Sequence, residues 1–200
     1  SLGLLAGAVE DAAPEVQSFA GIADRNAGKL AAMLDDAAEY SRLDDPATAL
    51  KRERTDVVDT VQRAIEQVQG LVDERGVVLD VQTTPTDATI DEALVRIAVA
   101  RLLSYALRVS AKASTIRVGI ATSEDAHVVV TVSDCGKAIG ADRVAQMFEP
   151  FSAVARRSVE PAMRVGLGLV VAQTIARLHG GAIAFTPTDQ GGLFTMRLPI

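Results

Sequence analysis

The sequence predicts an α+β protein in which an N-terminal helical hairpin precedes a larger domain of mixed helices and strands. Two patterns lead to this prediction. Up to Leu43, apolar residues recur at spacings of three and four, which is the period of a packed helix. Beyond Thr55, segments with this period alternate with short segments in which apolar and polar residues alternate, as in strands. We place the hairpin in residues 1–50 and the mixed domain in residues 51–200.

The length and composition of the chain are those of a globular protein. Of its 200 residues, 48% are apolar and 23% are charged, which excludes a disordered chain. The length suffices for one domain of about 100 to 150 residues and a smaller element. No apolar run approaches the roughly 20 residues that a membrane span needs, so we expect a soluble protein.

Charge and cysteine content narrow the partners and the compartment. Twenty Lys and Arg residues against 26 Asp and Glu residues give a net charge of −6, which disfavours nucleic acid as a partner, because nucleic-acid affinity depends largely on neutralising phosphates. Cys135 is the only cysteine. It has no second thiol or histidine at metal-ligand spacing, so we expect no metal site there. Without a secretory signal segment, we expect the cytoplasm.

The N-terminal hairpin has two arms of unequal predicted length. Leu2, Leu5, Val9 and Ala12 form the seam of the first arm, and Pro14 interrupts it. The second arm continues to Leu43 and would be roughly 45 Å long, whereas the first covers only roughly 18 Å of it. We therefore expect a truncated hairpin that dimerises into a four-helix bundle. The alternative is one long surface helix packed on the second domain.

The mixed domain is predicted to contain three long helices, one short helix and several strands. Thr55 and Asp56 cap the first helix, which ends at Gly76. The other predicted elements are a strand over 77–83, a turn over 84–87, a helix from Asp91 to about Ser110, a hairpin of strands over 115–121 and 127–133, a short helix over 142–148, a loop over 152–165, a helix from Gly166 to His179, and strands over 182–186 and 193–199.

Three short motifs in this domain suggest a site. The glycines of residues 166–169 open a helix, where backbone N–H groups and the helix dipole can approach a phosphate closely. Asp134 and Gly136 end a strand, where a carboxylate can accept a hydrogen bond from an amino group such as that of adenine. Residues 147–151 carry aromatic anchors that could fix a lid hinge. Each motif also has an ordinary structural interpretation: a helix start, a turn and core packing, respectively.

Taken in order, these motifs resemble the ATP-binding domain of sensor histidine kinases, a branch of the superfamily shared with gyrase, heat-shock protein ninety and mismatch-repair ATPases. Residues 101–110 resemble its N box, residues 134–139 its first glycine box, and residues 147–151 its phenylalanine box. Residues 166–169, with the later residues 179–181, resemble its second glycine box and helix. The resemblance implies a two-layer α/β sandwich of the Bergerat type, a dimerisation and histidine-phosphotransfer hairpin, and a response-regulator receiver domain as partner.

The sequence departs from this family at the phosphate end of the site. The position of the asparagine that holds Mg²⁺ in the family is Tyr105 here, and a neutral phenol is a poor ligand for Mg²⁺. An earlier N-box asparagine is replaced by Arg101, whereas Arg108 matches the family's basic residue. Ala138 replaces a glycine, and residues 163–165 replace a glycine-rich stretch, so backbone freedom is lost at both places.

The resemblance implies a set of nucleotide-binding residues, should binding be retained. These are Arg101, Tyr105, Arg108, Asp134, Gly136, Ala138, Phe148, Arg164, Gly166, Leu167 and Gly168. ATP and Mg²⁺ are the implied cofactors, and the departures count against both. Arg101 and Arg164 could bind phosphate without a metal. In the other interpretation, Arg101 and Tyr105 fill an emptied pocket and the fold survives as a scaffold.

The phosphoacceptor histidine of the family has no counterpart on the hairpin. Of the two histidines, His127 lies in a predicted strand and His179 at the end of a predicted helix. We expect no catalytic residue in this chain, and an acceptor could precede Ser1. The expected function is that of a two-component phosphotransfer or pseudokinase module with weak or lost ATP binding, acting on a response regulator. The alternatives are an active ATP-dependent sensor histidine kinase and a purely dimeric scaffold.

Overall fold

The computed structural model describes residues 14–43, 45, 49–150 and 167–200. Its elements, in chain order, are α1 (Pro14–Leu43), β1 (Glu53–Asp56), α2 (Val57–Arg75), β2 (Val78–Thr83), β3 (Asp87–Ile90), α3 (Glu92–Val109), β4 (Thr115–Thr122), β5 (His127–Asp134), α4 (Ala141–Gln146), α5 (Gly168–Leu178), β6 (Ala182–Thr188) and β7 (Gly191–Pro199). The predicted first arm of the hairpin and the predicted loop over 152–165 lie outside the described residues.

The central sheet has five strands in the order β2-β4-β5-β7-β6. β2 and β4 are parallel, and the other neighbouring pairs are antiparallel. In β5, buried and half-buried residues alternate, as expected for a strand with one face against the core and one face toward solvent. Asp134 is the last residue of β5 and lies on the buried side, which places its carboxylate at the sheet end that faces the helices.

The helices α2, α3 and α5 form the second layer, with α3 in contact with both of the others and with β5. α3 is buried around much of its circumference because it lies between these neighbours. Leu102, Leu103 and Leu107 are fully buried, and burial of each such side chain contributes about 1.5–3 kcal/mol. The observed architecture is therefore the predicted two-layer α/β sandwich.

The predicted starts of α2 and α3 and the predicted end of α2 are confirmed by their capping contacts. The Asp56 carboxylate accepts hydrogen bonds from the backbone N–H groups of Val58 (2.8 Å) and Asp59 (3.4 Å) and so begins α2. Gly76 ends α2 in the left-handed conformation, with φ of 61°. Asp91 begins α3 by accepting from the N–H of Leu94 at 3.2 Å. Of the two predicted capping residues at the start of α2, Asp56 is the one that caps.

A second, two-stranded sheet was not predicted. β1 and β3 pair antiparallel in this sheet, with Thr55 opposite Ala88. The predicted turn over 84–87 was therefore too long, because Asp87 already belongs to β3. Both strands have only four residues, and the alternation of exposed and buried residues in β3 is too short to identify a strand from the sequence alone. α5 begins at Gly168 and not at residue 166.

α1 is a 30-residue helix with the bounds predicted for the second arm. Its C-terminal end packs on the mixed domain, where it contacts α5 and buries Leu43. Its remaining surface exposes large apolar side chains, namely Val16, Phe19, Ile22, Leu30, Met33 and Leu34. None of the helices in the described ranges is long and apolar enough to cross a membrane. The predicted four-helix bundle needs a partner for this exposed face and stays a prediction.

Candidate nucleotide site

Three elements bring five of the eleven predicted site residues to one end of the domain. α3 supplies Arg101, Tyr105 and Arg108, which share one stripe because they are four and three residues apart. β5 supplies Asp134 at its C-terminal end, and α5 supplies Gly168 at its N-terminal end.

Asp134 is a buried carboxylate with an unused oxygen. It is 5% exposed, and its Oδ1 accepts a hydrogen bond from the N–H of Gly136 at 2.8 Å. Oδ2 is buried and has no hydrogen-bond partner among the described residues. Burial raises the pKa of Asp134, while the backbone N–H groups of Gly136 and Gly192 oppose this shift. A buried acceptor without a donor costs free energy, so a donor such as a ligand amino group would stabilise this oxygen.

Two glycines allow the backbone to pass close to Asp134. A Cβ on Gly136 would lie 2.9 Å from Asp134 Oδ1 and 3.1 Å from the Val109 carbonyl oxygen. Gly191 has a φ of +127°, and a Cβ there would overlap the Asp134 carbonyl group. Sequence reasoning found Gly136 but missed Gly191. The signal available for Gly191 was the glycine pair of residues 191 and 192 between two predicted strands.

Tyr105 lies in the core, at the position where the family resemblance implies a Mg²⁺-binding asparagine. It is 2% exposed, and its ring packs edge-on against Phe194 with 5.2 Å between the ring centroids. Burial, together with the negative charge of Asp134, raises the pKa of the Tyr105 phenol well above its usual range. The phenol is therefore neutral at physiological pH and offers no anionic oxygen to a metal ion.

Arg101 is engaged by α1. Its Nε lies 2.8 Å from the Oδ1 of Asp36, with the two side chains 30% and 12% exposed. Neither atom has an aligned hydrogen bond among the described residues, so the contact is an ion pair at short range. Arg108 is exposed and close enough to Asp36 and Tyr105 to influence both electrostatically. Of the predicted phosphate ligands on α3, one is thus already paired with a carboxylate.

The remaining predicted site residues are distributed around this end of the domain. Leu167 is buried and immediately precedes α5. Phe148 is half-buried and lies edge-on to Phe194 at a centroid distance of 6.5 Å. Ala138 is exposed in an irregular segment between β5 and α4. Arg164 and Gly166 lie outside the described residues.

Both histidines make hydrogen bonds to neighbouring backbone groups. His179 is 4% exposed. Its Nε2 accepts from the N–H of Asp91 at 3.0 Å, and its Nδ1 donates to the carbonyl of Ile175 at 2.8 Å. His127 lies at the start of β5, with its Nδ1 2.8 Å from the carbonyl oxygen of Asp125.

The residues present fit the two ends of a metal-bound nucleotide unequally. At the adenine end, the orphaned Oδ2 of Asp134 and the glycines beside it suit an amino-substituted base. At the metal end, the side chains that α3 contributes are a neutral buried phenol and two guanidinium groups, and none of these is a good ligand for Mg²⁺. Within the described ranges, no group of three or more His, Cys, Asp and Glu side chains is placed to hold a metal ion.

Comparison with protein families matches residues 90–200 to the histidine kinase-, DNA gyrase B-, and HSP90-like ATPase family. The chain belongs to this family. The matched range contains α3, β5 and α5, which are the elements that build the candidate site.

Curated relatives of the chain include sensor histidine kinases. Sensor histidine kinase TmoS of Ectopseudomonas mendocina is 25% identical over 181 residues, which is 90% of this chain and 19% of TmoS. Sensor protein CutS of Streptomyces coelicolor is 32% identical over 156 residues, which is 76% of this chain and 37% of CutS. The chain therefore spans about a fifth to two fifths of the length of these relatives.

Solved structures of histidine kinases share the fold. The histidine kinase AdeS of Acinetobacter baumannii superposes with a TM-score of 0.73 at 18% identity, covering 98% of this chain and 91% of AdeS. Full-length ShkA in complex with AMPPNP superposes with a TM-score of 0.74 at 20% identity, covering 94% of this chain and 39% of ShkA. At these identities the likeness shows the fold, which is the α/β fold of a histidine-kinase ATPase core.

Proposed function

We propose that this chain is the core of a sensor histidine kinase of a two-component system in which Mg²⁺-dependent ATP binding is weak or lost. In this proposal it acts as a phosphotransfer or pseudokinase module on the receiver domain of a response regulator. The curated relatives support the signalling role. The state of the metal end of the site supports the loss of binding.

The observation that carries the proposal is the burial of Tyr105. In phosphoryl transfer, catalysis consists of positioning and charge stabilisation, to which the metal ion is central. Mg²⁺ needs hard oxygen ligands at about 2.0–2.1 Å in octahedral order. The Tyr105 ring is fixed against Phe194, and its phenol stays protonated because burial and Asp134 raise its pKa. It therefore cannot take over the role of a metal-binding amide.

The adenine end of the site supports retention of some nucleotide affinity. Asp134 keeps an unpaired buried oxygen, and Gly136 keeps the close approach that this carboxylate needs. We therefore expect weak binding that does not depend on the metal. The alternative of an active kinase, in which a histidine upstream of Ser1 receives the phosphoryl group, would need this end of the site and also a metal end that binds Mg²⁺.

A titration by calorimetry tests the proposal and separates it from this alternative. ADP and ATP are titrated with Mg²⁺ and with EDTA into the wild-type chain and into Tyr105→Asn. The wild type is expected to bind weakly and equally in both media, and Tyr105→Asn is expected to gain a Mg²⁺-dependent component. Tight, Mg²⁺-dependent binding by the wild type would contradict the proposal and support an active kinase.

Tyr105→Leu is the matched control for this substitution. Both variants remove the ring packed on Phe194 and open a comparable space, at a cost of about 3 kcal/mol or more, but only asparagine supplies an amide oxygen. A melting curve for each variant verifies that it is folded. If nucleotide binding by Tyr105→Asn and by Tyr105→Leu depends on Mg²⁺ to the same extent, Tyr105 is not the cause of the lost Mg²⁺-dependent binding.

A dimer is the second part of the proposal. The exposed large apolar residues of α1 form two groups, residues 16, 19 and 22 and then residues 30, 33 and 34, and within each group residues lie three or four apart, as in a bundle seam. Monomeric soluble proteins rarely leave large apolar patches exposed. We therefore expect α1 to pack against a second copy of the chain, away from the end that contacts α5. If no nucleotide binds and no phosphoryl group is transferred, this dimer remains as a scaffold.

A further inference from the structure

Asp36 is a buried carboxylate on a helix that is otherwise largely open to solvent. It is 9% exposed, whereas the neighbouring Asp35 is exposed. Burial of a carboxylate costs free energy unless nearby groups compensate its charge. The groups around Asp36 therefore indicate what this side chain does at the contact between α1 and the mixed domain.

Two other elements surround the Asp36 carboxylate. Its Oδ1 lies 2.8 Å from the Nε of Arg101 on α3. Its Oδ2 lies 3.3 Å from the position that a Cβ on Gly168 would occupy, and the Arg101 Cδ is equally close to that position. Since Gly168 is the first residue of α5, the carboxylate lies over the first turn of this helix.

The groups that face Asp36 from the mixed domain are positive. Among the described residues, no side chain caps the start of α5, and its first turn carries no acidic residue, so its N-terminal dipole attracts an anion. Arg108 adds a second guanidinium whose charge, like that of Arg101, favours the ionised form of Asp36. Burial acts in the opposite direction and raises the pKa of Asp36. The carboxylate is thus held by cations in place of water.

We propose that Asp36 is a built-in competitor for phosphate. With α1 docked, its carboxylate takes the place at Arg101 and the first turn of α5 that a phosphate group of a nucleotide would take. Carboxylate and phosphate oxygens are both bound by helix N-termini and by arginines. Because Asp36 already lies at contact distance over Gly168, the two anions cannot share this corner. A bound phosphate therefore releases the C-terminal end of α1.

This inference rests on the proposed function in one respect, that the corner is the phosphate end of the nucleotide site. Docking of α1 and binding of phosphate then oppose each other, and the effect is reciprocal. If only the undocked form binds phosphate, the apparent affinity for phosphate is the intrinsic affinity multiplied by the fraction of molecules that are undocked. For a docked form in about tenfold excess, removal of the Asp36 charge tightens phosphate binding about tenfold.

The first experiment measures docking without any ligand. Amide hydrogen exchange is compared for the wild type, Asp36→Asn and Asp35→Asn, following peptides from the C-terminal half of α1 and from the start of α5. Asp35→Asn is the matched control, because it makes the same change one residue away at an exposed position. Faster exchange in both peptides for Asp36→Asn alone is expected, and equal exchange in all three proteins would overturn the proposal.

The second experiment measures anion binding in EDTA by calorimetry, with pyrophosphate, ADP and AMP as ligands. Asp36→Asn is expected to bind pyrophosphate or ADP about tenfold more tightly than the wild type and Asp35→Asn. Tighter binding of ADP than of pyrophosphate assigns the site to a nucleotide, and equal binding assigns it to phosphate anions in general. Unchanged affinity for both ligands would overturn the competition even if exchange in α1 rises.

A charge reversal covers the case in which Asp36→Asn misfolds. The double variant Asp36→Arg with Arg101→Asp keeps an ion pair but reverses its direction. It is expected to restore slow exchange in α1 relative to Arg101→Asp alone and to bind pyrophosphate at least tenfold more weakly than the wild type. Exchange as fast as in the single variant would overturn the ion pair as the docking contact. Tight Mg²⁺-dependent ATP binding by the wild type would contradict the proposed function, while the ligand-free exchange data still decide on docking.

Discussion

Replacement of His179 by phenylalanine is expected to destabilise the folded chain by about 2–4 kcal/mol at neutral pH. The His179 Nε2 is the hydrogen-bond acceptor for the N–H of Asp91, at the start of α3. Phenylalanine would leave this buried donor unpaired, at a cost of about 1–3 kcal/mol. It would also remove the hydrogen bond from Nδ1 to the Ile175 carbonyl. This loss costs only about 1 kcal/mol, because the carbonyl still accepts a hydrogen bond from the backbone N–H of residue 179.

The same contacts make this stability sensitive to acid. Burial lowers the pKa of His179 below its ordinary value of 6.5, so the unfolded chain takes up a proton at a higher pH than the folded chain. Stability is complete above pH about 6.5 and is lost as the pH falls from there through the lowered pKa of the folded state. Protonation at Nε2 would also remove the acceptor that Asp91 needs.

Urea unfolding at pH 7.5 and at pH 5.5 measures both effects. The deficit of His179→Phe relative to the wild type is expected to be largest at pH 7.5 and to shrink at pH 5.5, because only the wild type loses the contribution of this histidine. His127→Phe is the control, since it makes the same change in a half-exposed side chain. A deficit below about 0.5 kcal/mol, or one that is equal at both pH values, would contradict the assigned role of His179.

Two further substitutions test the close backbone approach beside Asp134 and the exposed face of α1. Gly191→Ala is expected to lower the free energy of unfolding in urea by about 2 kcal/mol or more, because φ is +127° and the added Cβ overlaps the Asp134 carbonyl. The control Gly70→Ala, in open space on α2, should stabilise the chain slightly. Equal effects of the two substitutions would contradict the close backbone approach at Gly191. Leu34→Glu, at a position that is 71% exposed, is expected to convert a dimer to a monomer in analytical sedimentation. The control Val78→Glu, at a position that is 60% exposed, should leave the dimer intact. An unchanged mass for Leu34→Glu would contradict a dimer through the exposed face of α1.

Local patterns were sufficient to predict the helices and most strands. Asp56, Gly76 and Asp91 act on backbone groups only a few residues away, so their effect can be read from neighbouring residues. β1 and β3 were missed because each has only four residues and their pairing joins segments more than 30 residues apart in the chain. The limit of sequence reasoning here was thus long-range contact, not helix or strand preference.

In the candidate site, too, features carried by local motifs were predicted and long-range contacts were not. The family motifs placed Tyr105 and Asp134 in one site, and the structure brings them close enough for the carboxylate to raise the pKa of the phenol. The ion pair of Arg101 with Asp36 was not predicted, because nothing in the helical pattern of α1 indicates which of its polar residues is buried. Only the packing of α1 on α5 shows that Arg101 already has a partner.

The most direct test of the loss of metal-dependent binding is a calorimetric titration of the wild-type chain with ATP up to millimolar concentration, with Mg²⁺ and with EDTA. The buried, protonated Tyr105 predicts weak binding that is the same in both media. Micromolar binding that disappears in EDTA would contradict this account, because it would mean that the site holds a metal-bound nucleotide despite Tyr105.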